Sequence, residues 1–587
     1  MAAVIGRQVS GRSHSGRTVW QLLLLAAAAV LLAGSAATAA APSRSVYQTI
    51  PPDPAAIIVR GAGDGLTDDT AALQQAIDAA AQEGAGAVVF VPEGRYRLTR
   101  TLLVRSGVRV FGTGRQRPVF LLAERTPGFA EGVAAMVSFT GEDQFRSGRP
   151  AVPPRTTVPF DPTMFDGTQT TFYSALSNVD FEIGEGNYGA VAVRFRVAQH
   201  AFLRHVDMRL GSAFAGVYHV GNEMENVRFF GGRYGIVAEK TAPTWPFTLI
   251  DSHFEGQQVA GIREHEAVLT LVNVTFRDMP VGIEIDRGYS DMLWGKDVRF
   301  DNVTDAGVVI SMEGSTFTQI GFENAVASAT PTFARLRVSG RTFAGVGDRY
   351  QVRRFSHGLA VEALGETGAT QSVFDAVPIT RAAAMRPPAI AALPPVSEWV
   401  SVRDLGVAGD DRTDDTAALQ RAIDTHRVLY MPTGRYRVTQ PIRLRPDTVL
   451  IALHPNTTQL YLPDETAAYA GIGDPVALLE SAKGGAAIVS GLGLWTGGIN
   501  PRATALLWRS GEQSMVNDVR IHGPVVRVNG QATGAVDPAA RPDGQQASIW
   551  VTDGGGGTFA AIWSPNTLSS SGFHVSDTDT PGHVYGL

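Results

Sequence analysis

The sequence predicts an all-β fold of tandem right-handed, single-stranded parallel β-helices with short N-terminal capping helices. Three observations predict it. A 12-residue segment is duplicated with one change, large apolar residues recur at steps of 21 to 27 residues, and Gly-aliphatic pairs recur between them. A period in the low twenties with short β-type runs is the length of one solenoid coil, in which each coil buries its apolar side against the next.

The chain starts with a predicted signal peptide, residues 1–41. Three arginines and no acidic residue precede an apolar run of 12 residues, Leu22 to Ala33, and small residues follow at Ala37-Thr38-Ala39. A run of 12 is too short to span a bilayer comfortably, so we expect cleavage, with an uncleaved anchor as the alternative. The sequence therefore predicts a secreted protein, extracellular or periplasmic, with no stable membrane insertion after cleavage.

The duplicated segment predicts the two capping helices. Thr67 to Asp78 recurs as Thr413 to Asp424, and Gln75 against Arg421 is the single difference. Thr67 is the predicted N-cap, and the two aspartates that follow fall in the first turn, where the helix dipole favours negative charge. Metal binding or acid–base chemistry by these aspartates is the alternative.

The short repeat predicts the coils. Five segments share one pattern of four positions: a polar residue, an aliphatic residue, any residue and then a large apolar residue. They are Asn178-Val179-Asp180-Phe181, His205-Val206-Asp207-Met208, Asn226-Val227-Arg228-Phe229, Asn273-Val274-Thr275-Phe276 and Asp297-Val298-Arg299-Phe300. Phe254 and Phe322 continue the series with weaker flanks. The Gly-aliphatic pairs begin at Gly216, Gly235, Gly261, Gly282 and Gly307. We expect the large residues to fill one interior column.

The repeats divide the chain into two modules. The first covers residues 57–380, the second residues 399–587, and a Pro/Ala-rich linker, 381–398, separates them. The stretch from Glu124 to about Thr171 is polar and rich in Pro and Gly, which predicts a long inserted loop.

Composition excludes several classes of function. The net charge is −6, removal of the predicted signal peptide would make it −9, and no basic stretch is present, so we expect no nucleic-acid partner. The chain has no Cys, which excludes disulfides, Cys-ligated zinc and thiol nucleophiles. No metal-ligand spacing or phosphate-cradling loop stands out, so we expect no metal and no cofactor.

A family resemblance adds to this interpretation. Two elements, each with a second copy, resemble the pectate-lyase-superfamily β-helix domain of rhamnogalacturonase-type and epimerase-like proteins. They are Gly63-Asp64-Gly65-x-Thr67-Asp68-Asp69-Thr70 and Gly94-Arg95-Tyr96. Two such modules in one chain resemble glycoside hydrolase family 55, which acts on β-1,3-glucan. The resemblance implies a polysaccharide substrate and carboxylate acid–base catalysis; we expect a monomer.

Local matches and one departure refine the resemblance. Val197-Ala198-Gln199 resembles a segment that carries a glutamine near the nucleophilic water, which makes Gln199 a candidate catalytic residue. Phe230 to Ile236, and Asp553 to Phe559 with Ile562-Trp563, resemble other family segments. In the family the general-acid glutamate lies in the second module, which we expect to be incomplete here because the chain ends at Leu587.

The Gly register sorts candidate site residues by face. Period-two alternation turns the second and fourth residues after each Gly outward. An ionisable patch results: Glu239, His265 and Asp286 at the fourth position, and Arg263 and Glu284 at the second. Arg263 is a candidate for substrate binding and the others for catalysis, with a solvated face of ordinary ion pairs as the alternative. Glu264 would point inward; if the register slips by one, Glu264 and Glu266 are the outward candidates.

Four tryptophans, Trp245, Trp294, Trp495 and Trp563, are candidates to stack on sugar rings, with packing as the alternative. Three hypotheses of function follow. The first is a glycosidase on a β-1,3-linked glucan. The second is a lyase or epimerase on a uronate polymer, and the third is a non-catalytic carbohydrate-binding or truncated protein.

Overall fold

The computed structural model describes residues 44–82, 87–141, 154–167, 171–240, 246–381, 387–523 and 544–586, and the backbone alone of 526–528 and 531–533. The predicted signal peptide and Trp245 lie outside the described residues. No helix in these ranges is long and apolar enough to cross a membrane.

Module 1 is a parallel β-helix whose strands form three ladders. Ladder 1A contains Ile57–Ile58, Val88–Pro92, Arg109–Thr113, Ala175–Ser177, the first halves of Phe202–Arg209 and Glu223–Phe230, Phe247–Ile250, Leu269–Val272, Met292–Lys296 and the start of Gln319–Ser328. Ladder 1B contains Asp64–Asp68, Arg95–Leu98, Val119–Leu122, Asp180–Ile183, the second halves of Phe202–Arg209 and Glu223–Phe230, His253–Glu255, and the first parts of Thr275–Ile285 and Arg299–Ile310. Ladder 1C contains Leu102–Val104, Ala134–Phe139, Ala190–Arg194, Ala215–Tyr218, Tyr234–Ala238, Ala260–Glu264, the last parts of Thr275–Ile285 and Arg299–Ile310, and Thr332–Leu336.

The predicted column of large residues runs through the interior along ladder 1B. Strand register places Phe229, Phe254, Phe276 and Phe300 on successive rungs. Their rings stack at centroid distances of 4.5, 4.9 and 5.4 Å, an arrangement that adds to the burial of their area. Phe322 departs from the series, because it pairs with Gly295 on ladder 1A; its ring still contacts Phe300, edge to face.

The backbone conformation explains why a polar residue opens each repeat. Asn178, His205, Asn226, Asn273 and Asp297 all have φ between 52° and 60°. Asn and Asp tolerate this left-handed conformation better than other side chains, and it turns the chain sharply from ladder 1A into ladder 1B. The signal that predicted the coil therefore marks one corner of every coil.

The recurrent glycines are explained by the aromatic column. An ideal Cβ on Gly261 would lie 2.6 Å from Phe276 Cδ1, and one on Gly282 would lie 2.6 Å from Phe300 Cε1. Each ring thus occupies the space that a side chain would need on the neighbouring rung of ladder 1C. The following residue points inward and the next one outward, as the sequence predicted.

The two capping helices are present, but each begins later than predicted. Helix α1 is Thr70–Ala80 and helix α2 is Thr416–Thr425. Asp69 occupies the N-cap position, and Thr67 instead donates its hydroxyl to Asp64. Asp68 accepts hydrogen bonds from the amide and hydroxyl of Thr70. These local bonds occupy the aspartate carboxylates, which favours the structural interpretation over metal binding.

The predicted loop from Glu124 to about Thr171 contains a strand. Ala134–Phe139 pairs with Ala190–Arg194 on ladder 1C, and all six of its residues are buried. Its apolar run of Ala, Met and Val residues outweighs the polar flanks. Module 1 ends in antiparallel strands. Thr342–Ala344 and Arg349–Ala360 pair with the last coil, and Ala369–Pro378 pairs with Arg349–Ala360.

Module 2 repeats the architecture with shorter strands. Ladder 2A contains Val400–Ser401, Val428–Tyr430, Val449–Ile451, Ile488–Ser490, Met515–Asn517, Gly557–Ala560 and Gly582–Tyr585. Ladder 2B contains Asp410–Asp414, Gly434–Arg437, Thr458–Tyr461, Gly493–Trp495 and Arg520–His522. Ladder 2C contains Ile442–Arg443, Val476–Glu480, Ala503–Trp508, Ile549–Val551 and Phe573–Val575. Short 3-10 turns are Val396–Glu398, Val402–Leu405 and Ala467–Tyr469, and Val526–Val528 pairs with Gln531–Thr533.

Candidate functional site

The two modules pack directly on one another. The outer face of ladder 1A meets the outer face of ladder 2A, and apolar side chains from both faces form one cluster: Phe90, Phe111, Phe202, Tyr430, Ile451, Leu453 and Met515. Trp399, the first residue after the linker, belongs to the same cluster and stacks on Tyr430 at 5.4 Å. This burial fixes the position of one module against the other.

A buried ionic group holds the same junction. Arg109 of module 1 has no exposed surface and forms a two-pronged ion pair with Asp518 of module 2. His200 Nδ1 lies 3.0 Å from the same carboxylate. Arg109 also donates to the carbonyl oxygens of Leu453 and Tyr173. The Arg109 charge holds the pKa of Asp518 well below its usual range, and burial lowers the pKa of His200.

An open cleft of about 940 Å³ lies beside this junction. Ladder 1A forms one wall, the chain from Ala561 to Trp563 and from Gly582 to Gly586 forms the other, and Pro387 to Ala389 of the linker contribute to the lining. Strand register places Glu223, Thr248, Thr270 and Trp294 on four successive rungs of the ladder 1A wall. Adjacent rungs are about 4.8 Å apart, so this row spans roughly 14 Å along the cleft.

Glu223 is the chemically distinctive member of that row. Its residue surface is 3% exposed, and Oε1 accepts hydrogen bonds from Arg204 Nε at 3.1 Å and Nη2 at 2.5 Å. Oε2 has no hydrogen-bond partner among the described residues, and an ideal Cβ on Gly586, a cleft residue, would lie 3.0 Å from it. Burial raises the pKa of Glu223 more than Arg204 lowers it, and neighbouring Glu225 adds to the rise. This carboxyl therefore holds a proton more strongly than a solvated glutamate does.

Three of the residues predicted from the sequence line the cleft. They are Gln199, Trp294 and Trp563. Gln199 Oε1 is buried without a hydrogen-bond partner in the described part of the chain. Trp294 is 38% exposed, which leaves ring surface for a ligand. Trp563 stacks on Phe172 at 5.4 Å, so packing accounts for part of its surface.

The predicted ionisable patch comes together on ladder 1C, away from the cleft. Arg263 Nε lies 2.7 Å from Asp286 Oδ1, and His265 Nδ1 lies 3.1 Å from Asp286 Oδ2. Glu239 accepts a hydrogen bond of 2.9 Å from the Tyr218 hydroxyl. Glu284 pairs with Arg337 at 2.9 Å. Each carboxylate thus has a protein partner, the arrangement of an ion-paired outer face.

Glu264 and Glu266 occupy different environments. Glu264 is fully buried in the interior, as its register predicted, so the alternative register in which it shares the outer face with Glu266 does not apply. Burial and neighbouring Asp291 raise the pKa of Glu264 well above its ordinary value. Asp291 accepts hydrogen bonds from the Ala267 and Val268 amides. Glu266 forms an exposed ion pair with Lys240 at 3.3 Å.

Sequence reasoning missed Glu223, Arg204 and the Arg109–Asp518 pair. Glu223 and Glu225 alternate with Met224, a strand pattern that turns both carboxylates outward, but nothing local indicates that module 2 covers them. Across the described ranges, no group of three or more His, Asp or Glu side chains is placed to hold a metal ion.

Comparison with known proteins places the fold. A family model described as rhamnogalacturonase A/epimerase, pectate lyase-like, matches residues 61–309 and 399–460, more than half of the chain. Mannuronan C5-epimerase AlgE1 of Azotobacter vinelandii is 37% identical over 94 residues, which is 15% of this chain and 6% of that protein.

Two solved structures match most of the chain at low sequence identity. The catalytic unit of the GH87 α-1,3-glucanase from Streptomyces thermodiastaticus strain HF3-3 matches with a TM-score of 0.32 and 15% identity, over 92% of this chain and 71% of that one. The sacteLam55A structure from Streptomyces sp. SirexAA-E matches with a TM-score of 0.39 and 11% identity, over 90% of this chain and 74% of that one. The family model confirms the resemblance recognised at the duplicated module starts. The chain belongs to the rhamnogalacturonase A/epimerase family of pectate lyase-like proteins.

Proposed function

We propose that the protein binds a polysaccharide in the cleft between its modules and hydrolyses a glycosidic bond there, with Glu223 as the general acid. The observation that carries the proposal is the Glu223 carboxyl. Its Oε1 is held by Arg204, whereas Oε2 is buried at the cleft wall with no hydrogen-bond partner in the described part of the chain. Glycoside hydrolysis needs a proton donor for the leaving oxygen, and a carboxyl with a raised pKa is suited to that role.

The rest of the cleft supplies binding and water positioning. Thr248, Thr270 and Trp294 continue the Glu223 row, so hydroxyl groups and one aromatic face lie along the axis on which a sugar chain would extend. Gln199, whose carbonyl oxygen is buried without a partner among the described residues, is the candidate to hold the attacking water. His200 Nε2, which also has no partner in that part of the chain, is the candidate to accept the proton that this water releases. Asp297, the other carboxylate in the lining, lies about three rungs from Glu223, roughly 14 Å, which is beyond the separation that a carboxylate pair uses.

A β-1,3-linked glucan is the proposed substrate, and action outside the cell is proposed with it. The charged groups of the lining support an uncharged polymer, because Lys296 and Asp297 offset one another and burial keeps His200 neutral. Glu223 is paired with Arg204, so it adds little net charge to this wall.

Hydrolysis of laminarin by the purified protein tests the proposal, with Glu223→Gln as the variant and Glu225→Gln as the matched control. Both glutamates lie on one strand beside Arg204, but Glu225 lines a different cavity on the other side of Arg204. We expect Glu223→Gln to lose at least about 100-fold in rate and Glu225→Gln to stay within about threefold. Equal losses in the two variants would contradict the assignment.

A lyase or epimerase acting on a uronate polymer is the second candidate. Its support is the match to a mannuronan epimerase over 94 residues and the Arg263–Asp286–His265 group, in which an arginine could neutralise a uronate and a histidine could move a proton. Unsaturated product from polygalacturonate, lost in His265→Gln and kept in Glu223→Gln, would favour this candidate. Binding without turnover of either polymer would favour the third hypothesis, a non-catalytic carbohydrate-binding protein.

A further inference from the structure

The last strand of module 1, Ala369–Pro378, has a neighbour on one side only. All ten of its residues pair with Arg349–Ala360, and no other strand of the described ranges pairs with it. None of the ten residues is buried. The strand therefore presents a row of backbone N–H and C=O groups at the C-terminal end of the first solenoid, and we call it the edge strand.

The edge strand lacks the features that commonly keep such a strand from pairing with another chain. Charged side chains, especially Lys, prolines and bulges are the usual protections. The edge strand has one charged residue, Asp375, and no Lys or Arg, and its single proline, Pro378, stands at its end. The register shift of the hairpin lies on the inner strand, between Val352 and Arg354. The backbone of the edge strand is therefore open to a further strand.

The side chains of the edge strand alternate between two faces. Phe374 and Ala376 pack against the core of module 1, and the Ser372 hydroxyl lies 2.9 Å from Nδ1 of the buried His357. These three side chains mark the inner face, and period-two alternation turns the residues between them outward. The outward residues are Gln371, Val373 and Asp375.

One register suits the antiparallel pairing of two edge strands. Opposite residues in such a pair share a face, so the two-fold axis passes through a residue and not between two residues. With the axis at Val373, Gln371 lies opposite Asp375 of the second copy, where the amide can donate to the carboxylate. The two aspartates do not face one another, and Pro378, which has no N–H, falls just outside the ladder. An axis at Phe374 would bring Pro378 into the ladder and set Val373 opposite Asp375.

We propose that the edge strand is the interface of a two-fold homodimer, in which two copies join their sheets antiparallel about Val373. Residues 369–377 of each copy would pair through backbone hydrogen bonds, the mode in which a strand adds to an open sheet edge. The preceding turn exposes Val361 and Leu364, and antiparallel pairing brings this turn beside the end of the other edge strand. A two-fold contact is isologous, so it closes at two copies. The proposal goes beyond the proposed function and replaces the expectation of a monomer.

Analytical ultracentrifugation of the wild-type protein, from about 1 to 100 μM, tests the association. We expect sedimentation to change from one copy to two copies as the concentration rises. Val373→Lys would set two positive charges face to face on the axis, so it should raise the dissociation constant at least about tenfold. Leu66→Lys is the matched control, because Leu66 is 76% exposed in a strand of the first coil, and it should leave the dissociation constant unchanged.

A single introduced cysteine tests the register, because the protein contains no other. Two cysteines at position 373 would face one another within the reach of a disulfide. Two cysteines at position 370 would lie roughly 20 Å apart, since Thr370 is opposite position 376 of the second copy. Under mild oxidation we expect Val373→Cys to form a covalent dimer on a non-reducing gel and Thr370→Cys to form none.

Three results would overturn the interface. They are a wild-type protein that sediments as one copy at every concentration, association that Val373→Lys does not weaken, and a covalent dimer of Thr370→Cys without one of Val373→Cys. The first result would leave the edge to a strand of another protein, and it needs no variant, so it decides the question even if a variant fails to fold. Failure of the proposed hydrolysis is read separately, because the edge strand contributes no residue to the cleft lining.

Discussion

Replacement of Asp518 by Asn tests the junction on which the cleft depends. The substitution keeps the side-chain shape but removes the charge that faces Arg109, a residue with no exposed surface, and weakens the contact with His200. Three carbonyl oxygens would remain as acceptors for Arg109, but its positive charge would be left buried and unpaired. Breaking a buried ion pair on one side costs about 3–5 kcal/mol, so we expect a loss of this size in the free energy of unfolding.

Equilibrium urea unfolding at pH 7, followed by tryptophan fluorescence, measures this loss. Asp447→Asn is the matched control, because Asp447 forms an exposed ion pair with Arg445, and such pairs contribute about 0–1 kcal/mol. A loss below about 1 kcal/mol in Asp518→Asn, or equal losses in the two variants, would refute the conclusion that this pair fixes the modules.

Three further predictions address the interior and the cleft. Gly261→Ala should lower the free energy of unfolding by about 1–3 kcal/mol, because the added Cβ would lie 2.6 Å from the Phe276 ring. The control Gly314→Ala should change the free energy of unfolding little, because its Cβ meets no atom within 4 Å, and urea unfolding compares the two variants. The raised pKa of Glu264 contributes stability that is complete below its unfolded pKa and is lost as the pH rises through its folded pKa. Urea unfolding between pH 5 and 9 should therefore show the wild type losing stability relative to Glu264→Gln by up to about 1.4 kcal/mol per pH unit, and a constant difference would contradict this burial. Trp294→Ala should weaken laminarihexaose binding about tenfold, as measured by calorimetry. It should leave the melting temperature unchanged, because Trp294 is 38% exposed. Unchanged binding would show that Trp294 does not contact the sugar.

The coil architecture could be predicted because its rules are local. Phe276 fills the interior, Gly261 makes room for its ring, and Asn273 turns the corner with a left-handed φ, so each coil carries its own signals. The same logic placed Arg263 outward and Glu264 inward. Local signals failed at Ala134–Phe139, because this buried strand lies inside a stretch whose overall composition is typical of a loop.

The cleft could not be predicted, because it is a property of two ladders far apart in sequence. Glu223 belongs to an ordinary alternating strand, and the residue of the other module that lies against its carboxyl is Gly586. The ionisable patch predicted at Asp286 was visible because its members recur at one register. Register reports which side chains share a face, but it does not report which face another module covers.

The central claim is that Glu223 donates a proton to the leaving oxygen, and leaving-group dependence tests it most directly. An aryl glycoside with a dinitrophenolate leaving group needs little protonation, whereas a sugar leaving group needs it fully. The measurement is the rate of Glu223→Gln relative to wild type on laminarin and on the matching dinitrophenyl glucoside. We predict a loss of at least about 100-fold on the polymer and less than about tenfold on the aryl glycoside. Equal losses on both substrates, or full activity on the polymer, would contradict the assignment of Glu223 as the acid.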